Sequence, residues 1–142
     1  MALRVDMGMV RSGAHKGLKA TFELAKIVVP TTIAVAILRA SGLLDLFSGY
    51  CAPFMRFFGL SGDAALVLIS GYLVNLYAAT GVIVALQLPL REITILAVML
   101  GFAHSLLIEV VISKRAGSPV SVILPLRVGM SLLAGVILGV LL

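Results

Sequence analysis

Charged residues are scarce in this chain. Asp, Glu, Lys and Arg make up 12% of its 142 residues, and 61% of the residues are hydrophobic. A soluble globular protein carries about 25% charged residues, which it needs to cover its surface. A water-soluble fold is therefore excluded, and the mean hydropathy of +1.20 agrees. The sequence predicts a multi-pass protein of the cell membrane, in bacterial terms the inner membrane.

Cysteine and tryptophan are also nearly absent. Cys51 is the only cysteine, and there is no Trp. One cysteine excludes an intramolecular disulfide and a cysteine-rich metal site. The sequence has no Ser-His-Asp order, zinc-ligand spacing or glycine-rich phosphate loop. We therefore expect no enzyme activity, no catalytic residues, no metal and no cofactor. With few aromatic residues and no basic groove, we expect no nucleic-acid partner.

The basic residues that do occur are concentrated at the N-terminus. Five of the eleven lie in the first 26 positions: Arg4, Arg11, Lys16, Lys19 and Lys26. Apolar residues recur there at spacings of three and four, from Leu3 to Phe22, which predicts an amphipathic helix over residues 1–22. Such a helix would lie on the anionic cytoplasmic leaflet of the lipid bilayer, so we expect a cytoplasmic N-terminus. A frayed basic tail is the alternative.

Four long apolar segments follow, and crossing a ~30 Å hydrocarbon core takes about 20 residues. They run from Leu24 to Leu44, from Asp63 to about Leu88, from Glu92 to about Ser113, and from Val120 to the end. Residues 43–60 are apolar too, but Asp45, Pro53 and Arg56 interrupt them. This pattern indicates an interfacial or re-entrant helix pair, or a fifth crossing.

These segments together predict an all-α fold. We expect a polytopic membrane helical bundle with four to five membrane segments, one of them broken or re-entrant. The bundle occupies residues 23–142 and follows the amphipathic helix of residues 1–22.

Polar side chains interrupt the second apolar segment. Asn75, Tyr77 and Thr80 lie near its middle, between Gly71 and Gly81. A helix that unwinds there would present a substrate or ion site, as in many transporters. Hydrogen bonding between neighbouring helices is the alternative.

A second polar group flanks the loop of residues 114–119. Glu109 and Arg127 stand at similar distances from this loop on neighbouring helices, so their depths should agree within about a turn, which predicts an ion pair. Ser105 lies one turn from Glu109 on the same face, whereas His104 is about 140° away. Ionisable groups in a membrane are costly unless paired. The group either pins two helices together, binds a solute or relays protons, or snorkels unpaired.

Two stretches resemble a known family. The run Pro53-Phe-Met-Arg-Phe-Phe-Gly59-Leu60, followed by Gly71-Tyr-Leu-Val-Asn75, resembles the nucleoside-recognition (Gate) domain of ferrous-iron transport protein B and of spore maturation proteins A and B. Asn75-Leu-Tyr-Ala-Ala-Thr80-Gly81 is similar to the Asn…Ala-Ala-Thr-x-Gly run of the spore proteins. The resemblance covers roughly residues 25–142. Val74-Asn75 replaces a Lys-Glu pair of the iron transporter, which argues against iron as the solute.

The resemblance implies a transport or gate subunit for a small polar solute, nucleoside-like or an ion. The candidate solute-binding residues are Asn75, Tyr77, Thr80, His104, Ser105 and Glu109. Because family members often carry two Gate units, it also implies a homo-oligomer such as a dimer, or pairing with a second Gate-type subunit. A non-transporting membrane scaffold or accessory protein is the alternative, with the same polar groups serving packing.

Overall fold

The computed structural model describes residues 7–142, which contain helices and no strands. The helices are α1 (Met7–Ala40), α2 (Leu43–Met55), α3 (Ala64–Ile69), α4 (Leu76–Leu86), α5 (Leu90–Phe102), α6 (Leu106–Arg115) and α7 (Val120–Leu141). A 3₁₀ turn at Arg56–Phe58 follows α2, and a π-helical turn at Ser70–Val74 follows α3. The expectation of an all-helical bundle is confirmed for this part of the chain.

Helix α1 is a single helix of 34 residues. Its residues 7–22 are helical, as the apolar stripe predicts, but they continue without a break into the first apolar segment. Leu3 and Arg4 lie outside the described residues. The division into residues 1–22 and 23–142 therefore stays a prediction. The helix ends at Ala40, earlier than expected, because the chain turns at Gly42 with a left-handed φ of 73°.

Three helical stretches of residues 7–142 are long and apolar enough to span a membrane. They are Met7–Ala40, Leu90–Arg115 and Val120–Leu141. The sequence predicts four to five membrane segments, and two of those segments are not single long helices in the structure. Residues 43–60 form α2 and the 3₁₀ turn, and the second apolar segment forms two short helices.

Those two short helices, α3 and α4, pack side by side as a hairpin. A Cβ added to Gly71 would lie 3.3 Å from the Cβ of Ala79. The ends of the segment also meet, since the Ser61 hydroxyl donates to Glu92 Oε2 at 2.6 Å and the Ser61 amide at 3.1 Å. A straight helix from residue 61 to residue 92 would hold its ends about 45 Å apart. Residues 64–86 thus return to the end of the bundle at which they start.

Asn75 forms the tip of this hairpin. Its backbone is extended (φ −171°, ψ 172°), and its Oδ1 accepts a 2.9 Å hydrogen bond from the Ala78 amide, which caps α4. The Asn75 amide donates to the Ser70 carbonyl, five residues back, as in a π-helix. This shift leaves the carbonyl of Gly71 without its usual partner in the helix.

The hairpin is wrapped by α1 and α5. Helix α1 runs parallel to α4, because Thr32 lies beside Gly81 and Arg39 donates to the Leu86 carbonyl at 3.3 Å. Helix α5 supplies the most buried part of the core. Its fully buried side chains are Ile95, Leu96, Met99 and Leu100.

Arg91 joins three segments at one end of the bundle, which we call the Arg91 end. Its guanidinium donates to the carbonyl of Gly59 at 2.5 Å and to that of Gly139 at 2.9 Å. The end of α1 lies here too, through the bond from Arg39 to Leu86. Both ends of α2 are therefore at the Arg91 end. The opposite end, with the loop of residues 116–119 and the start of α1, is the loop end.

Helix α7 packs closely on α5 and on the 3₁₀ turn through two glycines. A Cβ on Gly135 would lie 2.6 Å from Met99 Sδ, and a Cβ on Gly139 would overlap the Phe58 carbonyl. The Gly-x-x-x-Gly spacing of α7 thus serves packing within the chain.

We expect Gly139→Ala to lower the free energy of unfolding by about 1 to 3 kcal/mol, because the new methyl meets rigid backbone. Gly135→Ala should cost less, because the Met99 side chain can move. The measurement is the thermal unfolding midpoint in detergent. Gly129→Ala on the same helix is the control, since a Cβ there meets nothing within 4 Å. Equal midpoints for Gly139→Ala and Gly129→Ala would contradict this packing.

Candidate functional site

A second backbone break separates α5 from α6. Ala103 is extended (φ −141°, ψ 119°) and Ser105 is left-handed (φ 51°, ψ 39°), which is unusual for a residue other than glycine. The sequence predicts one continuous segment here. The angular separation of His104 from Glu109 in a regular helix therefore does not apply.

The two breaks are joined by a backbone hydrogen bond. The Ser105 amide donates to the Gly71 carbonyl at 2.9 Å, the carbonyl that the π-helical turn leaves free. Gly71 is buried, and a side chain there would collide with Leu100. In a hydrocarbon environment every exposed backbone group must find such a partner. Each interrupted segment therefore satisfies a polar group of the other.

A polar groove opens beside the second break. It has a volume of about 300 Å³ and is lined by His104, Ser105, Ile108, Glu109, Ile112, Ser113 and Arg127. This volume is at the lower end of the range for small-molecule sites. Helix α6 forms one wall, and α7 contributes Arg127.

Glu109 and Arg127 form an ion pair across the groove, through Glu109 Oε1 and Arg127 Nη1. Arg127 Nε also donates to the Phe102 carbonyl, at the end of α5, at 2.7 Å. The guanidinium is thus held from two sides. Glu109 Oε2 is buried and has no hydrogen-bond partner within residues 7–142.

His104 presents an acceptor nitrogen. Its Nδ1 lies 2.9 Å from the Leu100 carbonyl oxygen. Because a carbonyl oxygen only accepts, Nδ1 carries the hydrogen. In the neutral ring Nε2 therefore remains an acceptor.

The other three candidates lie outside this groove. The Asn75 amide is engaged in capping α4, and the Thr80 hydroxyl bonds its own helix at the Leu76 carbonyl. Tyr77 is half-exposed and lines a separate groove against Glu23, Leu24 and Ile27 of α1. The structure brings His104, Ser105 and Glu109 together with Arg127, and it leaves Asn75, Tyr77 and Thr80 out of that groove.

A buried hydroxyl pair was not among the sequence candidates. The Ser131 hydroxyl donates to the Met99 carbonyl at 2.6 Å, so the Tyr72 hydroxyl, 2.6 Å from Ser131 Oγ, is the donor in that second bond. Ser131 is a polar residue in a strongly apolar helix, and this feature of the sequence could have identified it as a candidate. The bond from Arg127 to the Phe102 carbonyl, by contrast, could not be predicted, because every residue has a backbone carbonyl.

Comparison with known proteins shows the family. The family model described as nucleoside recognition (Gate) matches residues 21–119. The chain belongs to the Gate family of membrane proteins.

The relatives are membrane proteins too. The chain is similar to membrane protein YvoD of Bacillus subtilis (strain 168), with 36% identity over 128 residues, 90% of this chain and 41% of that protein. It is also similar to inner membrane protein YjiG of Escherichia coli (strain K12), with 37% identity over 81 residues, 56% of this chain and 52% of that protein. The chain thus spans about half the length of these relatives or less. No solved structure matches it.

We expect Ser131→Ala to destabilise the protein more than Tyr72→Phe does. The first change leaves a Tyr hydroxyl and a carbonyl unpaired, at a cost of about 1 to 3 kcal/mol, whereas the second keeps the bond from Ser131 to Met99. Thermal unfolding midpoints in detergent provide the comparison. The reverse order would contradict this assignment of donors and acceptors, and midpoints equal to that of the wild type would show that the hydroxyl pair contributes nothing to stability.

Proposed function

We propose that the chain is a membrane transport or gate subunit for a small polar solute, nucleoside-like or an ion. The observation that carries this proposal is the charged groove at the backbone break beside Ser105. Arg127 lies twelve residues before Gly139 and seven after Val120, or about 18 Å and about 10 Å along α7. A membrane-crossing α7 would therefore carry Arg127 within the hydrocarbon core. Ionisable groups at such depth are costly, and they are typical of solute or ion pathways.

The groove also supports an oligomer. It is open on one side, and its wall α6 has no buried residue. Beside the groove, Leu107 and Val111 of α6 are at least half exposed. Lipid is a poor cover for an ion pair, whereas protein can enclose it. We therefore propose that a second copy, or a second Gate-type subunit, covers this side and completes the pathway.

The contacts favour three crossings and one re-entrant hairpin. Helix α1, the pair α5 and α6, and α7 would cross, while the α3–α4 hairpin enters from the Arg91 end and returns to it. Helix α2 would lie at the interface. The basic residues then divide unequally: Arg11, Lys16, Lys19, Lys114 and Arg115 at the loop end, and Arg39, Arg56 and Arg91 at the other. Cytoplasmic loops carry the excess of Lys and Arg. This favours a cytoplasmic loop end and N-terminus.

The transport proposal is tested in proteoliposomes by uptake of uridine, adenosine, monovalent cations and small anions. We expect uptake of at least one solute, and we expect Ile112→Trp to abolish it, because the indole fills the groove. Leu46→Trp is the matched control: Leu46 is 59% exposed and Ile112 is 61% exposed, but Leu46 lies on α2 at the Arg91 end. Size-exclusion profiles check that both variants assemble.

Two outcomes would contradict the proposal. Undiminished uptake by Ile112→Trp would exclude this groove as the pathway. The absence of uptake for every solute would favour a membrane scaffold, in which the Glu109–Arg127 pair only pins α6 to α7.

The orientation is tested by thiol labelling in intact cells, after replacing Cys51 with Ala. We expect a membrane-impermeant maleimide to label Ser41→Cys, at the Arg91 end, from outside. Ala116→Cys, at the loop end, should react only after permeabilisation. Both positions are exposed. Labelling of the two positions from the same side would contradict three crossings.

A further inference from the structure

Glu109 and Arg127 differ in how completely their polar atoms are satisfied. We propose that the groove is a proton-linked binding site for an anionic solute, a carboxylate or a phosphate. Glu109 accepts the proton and Arg127 binds the anion. This inference rests on the proposed transport function and names the class of solute.

Glu109 can take up a proton at Oε2 without displacing a hydrogen-bond donor of residues 7–142. Oε1 pairs with Arg127, while Oε2 is buried without a partner in the described part of the chain. Because Oε2 accepts no hydrogen bond from this part of the chain, its protonation breaks no existing one. The bound solute supplies the acceptor that a new O–H needs.

Protonation changes the charge of the groove by one unit. The pair is neutral when Glu109 is ionised. Arg127 cannot lose its charge in a protein, so a neutral Glu109 leaves a net positive groove. A single uncompensated charge is costly inside a membrane. An anion that enters with the proton restores neutrality, and guanidinium binds carboxylate and phosphate through two parallel hydrogen bonds.

Arg127 is already positioned for this second partner. Its Nε donates to the Phe102 carbonyl at 2.7 Å, and this bond does not involve Glu109. The guanidinium therefore stays in place when the ion pair weakens. Its Nη groups lie on the groove side, because Nη1 contacts Glu109 there.

Few other groups in the described residues can compete for the proton. His104 is the other titratable side chain in the groove. Helix α7 and the π-helical turn pack against α6. Arg127 is the one charged side chain of α7, and the titratable side chain of the π-helical turn is Tyr72, which is hydrogen-bonded to Ser131. Lys114 and Arg115 follow Ser113 in the last turn of α6, but neither side chain lines the groove.

Each transport cycle moves one proton and one anion. One proton from the aqueous phase binds Oε2, and one anion binds Arg127. Both are released on the other side, and Glu109 then pairs again with Arg127. A monovalent anion and a proton cross together, so no net charge moves.

The test measures uptake of gluconate and of inorganic phosphate by proteoliposomes of the full chain, with uridine as the neutral comparison. We expect an inward proton gradient to raise uptake of one anion severalfold and to leave uridine uptake unchanged. For gluconate, clamping the membrane potential with valinomycin and potassium should have no effect. The two anion probes distinguish a carboxylate site from a phosphate site.

Variants assign the roles. Glu109→Gln mimics the protonated acid, so its anion uptake should no longer respond to the proton gradient, whereas Glu109→Asp should keep the response. Arg127→Gln should lose anion uptake. Thr94→Ala is the control, since the Thr94 hydroxyl bonds its own helix outside the groove.

A binding measurement covers variants that transport poorly. Anion-dependent thermal stabilisation in detergent should appear for the wild type only at acidic pH, and for Glu109→Gln at both acidic and neutral pH. Uridine uptake that Ile112→Trp abolishes, with no anion uptake or binding at any pH, would overturn the inference and leave the transport proposal standing. The absence of uptake for every solute would remove both.

Discussion

One backbone hydrogen bond, from the Ser105 amide to the Gly71 carbonyl, joins the two interrupted helical segments of this protein. A chain that leaves its helix inside a membrane exposes amides and carbonyls that lipid cannot satisfy. Here the π-helical turn frees a carbonyl at one break, and the left-handed residue at the other break presents an amide to it. The breaks are tolerable because they meet.

The rest of the bundle holds these breaks in position. Gly71 lets the hairpin approach Leu100 of α5 closely, and the glycines of α7 let that helix pack on α5 and on the 3₁₀ turn. At the Arg91 end, Arg91 and Glu92 fix the turn that precedes the hairpin. The groove with Glu109 and Arg127 then lies next to the second break, at a depth where its charges require protein, water or solute as a partner.

Part of this arrangement can be predicted from the sequence. Composition and apolar runs predict a helical membrane bundle, and similar distances from the loop of residues 114–119 predict the contact between Glu109 and Arg127. Asn75 between two glycines marks a break. The resemblance to Gate domains, based on short runs, is confirmed by the family match.

Other parts depend on tertiary contacts that local patterns do not carry. The sequence around Asn75 predicts a helix break but not whether the chain then continues across the membrane or turns back. The hydrogen bonds from Ser61 to Glu92 show that it turns back. The run Ala103-His104-Ser105 contains neither glycine nor proline, so helix periodicity extends through it and misplaces His104. The groove is formed by residues of this unmarked break and of α6, together with Arg127 of α7.

The re-entrant hairpin is the central claim, and the most direct measurement is a thiol crosslink between its two ends. In a Cys51→Ala background, Ser61→Cys and Glu92→Cys should be joined by a short bis-methanethiosulfonate reagent within one chain, because the two side chains touch. Ser61→Cys with Ser113→Cys, at opposite ends of the bundle, is the control pair and should not react. If residues 64–86 crossed the membrane, the first pair would also lie at opposite faces, and the absence of its intramolecular crosslink would contradict the hairpin.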